Sequence, residues 1–428
     1  MSLPHSTDDL ALPANAVAAP ADGVYEKLTV AGGVFFLVLE TIYFFSSGLP
    51  AFDIPSADAF GAIIGRDFVT VWMGGRVALV GGPAPWFDAE VYSGALRVLV
   101  GHPDLFTHYW SYPPHVILFT WPFGLMPYLA SYLAWCLLGF GAYLLAAYAG
   151  GVSRRQFLFL ALAPAAAINV FFGQNGFFTA ALLIGGLANL DRRPILSGVL
   201  FGILTIKPQL GLLLPIMLVL SGRWRVIAST AVTVAVLAGV TAWLYGPDIW
   251  SAYLDKVVPQ QQWLQSHGGG LLLYMIGSAF YAWRLLSLPV EMAWMAQAAV
   301  SGLAVAAVVW TYWRRRDPML SMALLVTATF LATPYVLNYD MVVLAFVVAL
   351  LRERADNEPI DHYLALAIWT LPVSMMLLGV AHIPVVMLVL PAFAARLLWR
   401  LARQEQPVSH KASGPGASVP APVGAASC

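Results

Sequence analysis

The sequence predicts an all-α polytopic membrane protein, with about 12 transmembrane helices, short broken helices among them, and an interfacial amphipathic helix in the first exported loop. Two observations carry this. Sixty per cent of the 428 residues are apolar and only 10% are charged, against roughly 25% charged in a soluble domain; mean hydropathy is +0.76. The apolar runs are also long and continuous, as at Leu271–Phe280 and Ala299–Trp310. A barrel would instead show short alternating segments. A soluble globular enzyme, a disordered chain and a disulfide scaffold are excluded.

Residues 1–24 and 404–428 are rich in Ala, Pro and Ser and read as disordered tails on either side of one membrane domain, 25–403. The first apolar run, 27–48, is expected to be a retained helix, because Asp8, Asp9 and Asp22 precede it where a signal peptide carries basic residues. It contains Glu40, either a functional acid or a partner in an interhelix hydrogen bond. A long loop, 49–112, follows; within it Phe68, Val71 and Trp72 fall at i, i+3, i+4, the spacing of an amphipathic helix that begins at Asp67. The stretch 113–127, broken by Pro122, reads as a partial or re-entrant piece.

Spans are then expected near 129–149, 156–172, 175–190, 194–206, 209–221 and 225–245. A second loop, 246–270, leads to another partial stretch, 271–288, and the last spans fall near 290–313, 318–335, 338–351, 361–379 and 382–399. Several are shorter than the ~20 residues of a full crossing, which suits pieces bordering a watered cavity.

Basic residues orient this topology. With the N-terminus cytoplasmic, 16 of the 22 fall on its side, including Arg154–Arg155, Arg192–Arg193 and Arg314–Arg316; Arg66, Arg76, Arg97, Lys207, Lys256 and Arg284 remain for the other. The positive-inside rule favours this arrangement, with both termini cytoplasmic. The exported face then carries the long loops and three short polar turns, Gly173-Gln174-Asn175, Lys207-Pro208-Gln209 and Asn338-Tyr339-Asp340. Polar groups gathered on one side point to a site at the outer membrane boundary.

Net charge is zero, so no basic surface calls for nucleic acid. Two cysteines, Cys136 and Cys428, are too few for a thiolate metal site and are not expected to pair. His108, His115 and His267 are too scattered for a metal, and Asp53, Asp58, Asp88 and Asp104 read as solvated loop acids. Walker, Rossmann and HExxH patterns are absent, so no cofactor is expected.

Asp67 is a helix N-cap or a general base within reach of a hydroxyl. Lys207, beside the break at Pro208, either snorkels or faces a cavity, where a phosphate is its natural partner. Gln174 and Asn175 either bind sugar hydroxyls or satisfy freed backbone at a turn. Tyr109 and Tyr112, with Pro113 and Pro114, form an aromatic approach to the next apolar run and equally suit an interfacial belt. Asp340 is a helix-start acid or a partner of a site residue.

In this order, Asp67-Phe68, Trp72, Gly75-Arg76, Leu79, Gly82, Phe87-Asp88, Tyr112-Pro113-Pro114, Gly173-Gln174-Asn175, Ile206-Lys207-Pro208-Gln209 and Tyr339-Asp340 resemble glycosyltransferase family 87. That family contains polyprenyl-phosphate-dependent membrane transferases of the GT-C class, bacterial mannosyltransferases among them. The resemblance implies inverting transfer of a hexose from a polyprenyl-phosphate sugar to a lipid or glycan acceptor, at the outer face of a bacterial inner membrane. Asp67 would be the base, Lys207 and Tyr112 would hold the donor phosphate, and Gln174, Asn175, Arg76 and Asp340 would contact sugar or acceptor. This chain has Phe87 where members often carry tyrosine, and no histidine in Thr333–Asn338. A transporter or flippase of a lipid-linked sugar is the alternative, since broken helices and polar groups at membrane depth occur there too; a non-catalytic scaffold is a weaker third.

Overall fold

The computed structural model describes residues 27, 30–35, 37–38, 41–42, 53, 55, 63, 65–80, 82–103, 105 and 108–403. Glu40, Asp58, Asp104, Cys428 and both expected tails lie outside them. Among the described residues there is no strand, only an isolated antiparallel bridge between Ile276 and Leu337.

Among the described residues, four helices are long and apolar enough to cross a membrane: Tyr128–Ala149, Trp224–Tyr245, Val290–Trp313 and Pro359–Val380. Shorter apolar helices sit where the other spans are expected, among them Gly176–Ala188, Pro194–Ile206, Pro208–Leu220 and Pro318–Ala332. Prolines explain much of this segmentation. Pro164, Pro194, Pro208, Pro318 and Pro359 each occupy the first turn of a helix. There the missing N–H costs nothing and the fixed φ suits helix entry. The span expected at 156–172 is accordingly two pieces, Phe157–Ala161 and Pro164–Phe171.

Burial separates centre from rim. In Pro318–Ala332, 12 of 15 residues are buried, and in Val342–Arg352, 10 of 11. Trp224–Tyr245 buries only Val226 and Thr241. A helix buried all round is a core helix, whereas Trp224–Tyr245 presents an apolar surface outward. Threonines in the core helices return their hydroxyls to the carbonyl one turn back, Thr327 to Ala323 and Thr329 to Leu325, so they bury no unpaired donor.

Broken ends are satisfied by one another, which is what a water-poor interior demands. The Gly277 N–H donates to the Val336 carbonyl at 2.8 Å beside the Ile276–Leu337 bridge. Buried Gln297 accepts from the Phe280 N–H and donates to the Leu331 and Ala332 carbonyls. Those are carbonyls that the end of Pro318–Ala332 would otherwise leave open.

One expectation is corrected. A helix does follow Asp67, Phe68–Val80, but it is no amphipathic surface helix: nine of its 13 residues are buried. The apolar spacing was read without its small residues. Gly75 meets Gly124 backbone to backbone, where a Cβ on Gly75 would stand 2.6 Å from the Gly124 nitrogen. Trp110 rests on Gly74. The helix is therefore enclosed by Ile117–Gly124 and the outer loop.

Several ion pairs among the described residues join segments that the charge pattern puts on the same side. Arg354–Asp317, Arg396–Asp361 and Arg400–Asp356 lie on one; Lys207–Asp340 and Lys256–Asp88 lie on the other.

Candidate active site

Asp67 is set by a strained turn and an aromatic anchor. Gly65 and Arg66 both take positive φ, +83° and +43°, and for arginine this backbone costs about 1–2 kcal/mol. The next residue, Phe68, is fully buried among Tyr128, Tyr132 and Trp135, with ring centroids 5.5, 5.4 and 6.2 Å away. The Trp72 indole N–H donates to the Met126 carbonyl at 3.0 Å. Asp67 itself stays exposed at the head of this fixed helix.

The Gly173–Gly176 turn lies directly against it. Gly173 has φ +57°, and any Cβ there would collide with Phe68. Gln174 is buried; its backbone N–H donates to the Asn169 carbonyl at 2.9 Å, and its carbonyl accepts from Trp135 at 3.2 Å. Its amide Nε2 donates to Asp67 Oδ2. Asp67 and Gln174, 107 residues apart, thus meet side chain to side chain. Asn175 is also buried, and its Oδ1 has no partner.

Lys207 occupies the break between two half-length helices, with φ −135° and ψ 78°. Its ammonium donates to Asp340 Oδ1 at 2.7 Å and to the Tyr339 hydroxyl at 3.1 Å, and lies 4.2 Å from the Tyr339 ring centroid. Both Lys207 and Asp340 are buried. The other Asp340 oxygen accepts the Leu337 N–H. A lysine has three N–H donors; two are used, leaving one. Asn169 ties the two turns together, since its Nδ2 donates to the Tyr339 carbonyl at 2.8 Å while its own carbonyl holds Gln174.

Lys207 lines a cavity of about 270 Å³ with Tyr112, Gln209, Gln261, Tyr335 and Tyr339, and it is the only charged residue in the lining among the described residues. Asp67 is not part of that wall; it is linked to it through Gln174, Asn169 and the Tyr339 carbonyl. In the loop before Tyr112, burial pushes the Tyr109 phenol up to about 12, with Asp67 adding to the rise and Gln261 opposing it. Tyr109 thus keeps its proton at neutral pH.

The expected residues divide. Asp67 joins Gln174, and Lys207 joins Tyr339 and Asp340, with Tyr112 in the same cavity wall. Arg76 stands apart: it is exposed, its guanidinium lies 4.3 Å over Trp72, and nine helical residues carry it about 13 Å along the axis from Asp67. Asp340 is committed to Lys207 and to the backbone. Sequence reading missed Asn169, Gln261 and Gln265, and named Gln209 only as part of its turn. A signal for the last two existed, because Gln261 and Gln265 fall at i, i+4 on the helix Val258–His267. No group of three metal-ligating side chains occurs among the described residues. Asp88, expected to be merely solvated, caps Ala89–Val100 by accepting from the Glu90 and Val91 N–H groups, and pairs with Lys256 at 3.2 Å.

The family model of glycosyltransferase family 87 matches residues 110–334, just over half of the chain. The chain belongs to glycosyltransferase family 87. It is a membrane glycosyltransferase, acting on a sugar donor and an acceptor. The matched region of this transferase includes Tyr112, Gln174, Asn175 and Lys207, while Asp67, Arg76 and Asp340 lie outside it. No curated protein and no solved structure matches the chain.

Proposed function

We propose that this transferase moves a hexose, mannose being the first candidate, from a polyprenyl-phosphate sugar to a lipid or envelope glycan acceptor, with inversion. The observation that supports it most is Lys207: a buried ammonium at a helix break, the only charge among the described residues lining its cavity, with one N–H to spare. A phosphodiester suits that donor better than a sugar hydroxyl, because charge-assisted hydrogen bonds are roughly twice as strong as neutral ones.

In this reading Asp67 takes the proton of the acceptor hydroxyl. The freed oxygen attacks the anomeric carbon as the bond from that carbon to the phosphate oxygen breaks. Polyprenyl phosphate departs as an anion, so its stabilisation by Lys207, with the Tyr112 hydroxyl beside it, supplies the main electrostatic effect. Gln174 holds one Asp67 oxygen and leaves Oδ1 for the incoming hydroxyl. Asn175 contributes an unpartnered Oδ1. Asp340 keeps Lys207 charged and aimed, and so acts through it.

The half-length helices are read as parts of about 12 spans, with both termini cytoplasmic and the cavity on the outer face of a bacterial inner membrane, consistent with the basic-residue bias.

The test compares wild type with Asp67→Asn in nanodiscs, supplied with a panel of polyprenyl-phosphate sugars and a membrane glycolipid extract. Release of polyprenyl phosphate together with a new glycosylated product, from wild type alone, is expected. Unchanged transport of a lipid-linked sugar without any covalent product would instead establish a flippase.

A further inference from the structure

Next to the Lys207 cavity, the outer loops enclose a smaller one of about 180 Å³, lined by Asp88, Glu90, Tyr109, Trp110, Lys256 and Gln260 among others. Its chemistry differs from that of its neighbour. Two carboxylates face one ammonium, and Lys256 already pairs with Asp88. The leftover Glu90 charge disfavours a phosphate. Acceptors, donors and two aromatic side chains close together suit a sugar ring, whose hydroxyls both donate and accept and whose C–H edges pack on aromatic rings.

A second observation points to a ligand. Trp110 is 3% exposed, and its indole N–H is buried without a partner. The Cζ3–Cε3 edge of the ring is wedged against Gly74, so the Nε1 edge turns away from the helix Phe68–Val80. A buried unpaired donor is costly, and a ligand hydroxyl would remove that cost.

The third observation is place. Tyr109, Trp110 and Gln260 line this cavity, and their chain neighbours Ser111, Tyr112 and Gln261 line the Lys207 cavity. The two cavities therefore adjoin along these two segments, and Trp110 packs on Gly74 of the helix that begins directly after Asp67.

We propose that this smaller cavity binds an uncharged sugar ring of the acceptor, holding the acceptor so that its reactive hydroxyl reaches Asp67. The site is an acceptor subsite only if the chain transfers glycosyl groups, and in that respect it rests on the proposed function; the binding of a sugar ring does not.

The experiment uses the full-length protein in nanodiscs without donor, with methyl hexopyranosides and methyl pentofuranosides as probes, followed by saturation-transfer NMR. Wild type, Gln260→Ala, Trp110→Phe and Gln209→Ala, the last in the wall of the Lys207 cavity, are compared. Phenylalanine keeps an aromatic ring and removes the N–H together with the rest of the pyrrole ring, and Glu90→Gln replaces it if Trp110→Phe melts early. At least one glycoside is expected to bind wild type and Gln209→Ala alike, and to bind Gln260→Ala and Trp110→Phe about tenfold more weakly, the loss of one hydrogen bond. No binding to wild type, equal binding to the cavity variants, or loss in a folded Gln209→Ala overturns the proposal. Glycoside binding without any polyprenyl phosphate release overturns transfer and leaves the sugar site standing. Where transfer is measured, the cavity variants raise KM for acceptor and leave KM for donor unchanged; a raised donor KM overturns the acceptor assignment.

Discussion

Lys207 and Asp340 are 133 residues apart and form a buried ion pair at 2.7 Å, each held by a different broken helix. The pair closes the gap between the break at Pro208 and the turn at Asn338–Met341. It also leaves the lysine charge facing a cavity with its countercharge behind it.

Removing one member of this pair should cost more than removing both. Asp340→Ala leaves an uncompensated buried ammonium and is expected to destabilise by about 3–5 kcal/mol. The double variant Lys207→Met/Asp340→Leu should recover most of that loss and still not transfer sugar. Thermal unfolding in nanodiscs and polyprenyl phosphate release check the two halves separately.

Asp67→Asn should fold as wild type, because Asp67 is exposed and an asparagine oxygen can still accept from Gln174. Its transfer rate should fall by roughly 10²–10⁴, the usual worth of a general base. Gln174→Glu sets two carboxylates against each other and favours a shared proton. The acidic limb of its pH–rate profile should therefore move to higher pH, with activity recovering as pH rises. An unmoved limb would remove Asp67 from the role of base.

Gly75→Val should be severe, since the added carbons must enter the backbone of Ile117–Gly124. Overpacking of this kind costs about 1–3 kcal/mol or more. The same substitution at Gly82, where a Cβ meets nothing but the backbone takes φ +59°, is a useful comparison for strain alone. Expression level and melting temperature report both.

Asp88 links the two outer loops through Lys256. The Val91 N–H and then Lys256 hold its carboxyl below the ordinary range. A depressed acid adds stability above its unfolded value, near 3.9, and loses it as pH falls through the lower folded one. Asp88→Asn still caps the helix but loses the bridge, so its deficit against wild type should be small, screened by salt and gone in strong acid. Asp88→Ala also loses the cap, about 1 kcal/mol at neutral pH. Melting curves across pH and ionic strength separate the two.

Much of the helical layout was legible, because long apolar runs such as 129–149 and 290–313 have few alternatives and prolines announce where the others break. The polar turns were legible as a group for the same reason: Gln174, Lys207 and Asp340 stand out against apolar flanks. Their partners were not. Nothing local says that Lys207 meets Asp340 rather than solvent, or that Gln174 reaches Asp67. Such pairings depend on how distant helices cross. Arg76 lies away from Asp67 because nearness in a motif is not nearness on a helix. The helix after Asp67 was judged by its large residues, whereas Gly74 and Gly75 decide how deeply it sinks.

Among the described residues, four short non-helical places hold or flank the candidate site of this transferase: the turn at 173–175, the break at 207, the bridged crossing at 276–278, and the segment 333–337. The outward-facing helices, Trp224–Tyr245 above all, contribute little to the cavity walls. Anchorage in lipid and choice of substrate are therefore written in separable parts of the chain. Divergence can retune a handful of turn residues, and with them what is recognised, while the lipid-facing surface drifts under no constraint except greasiness.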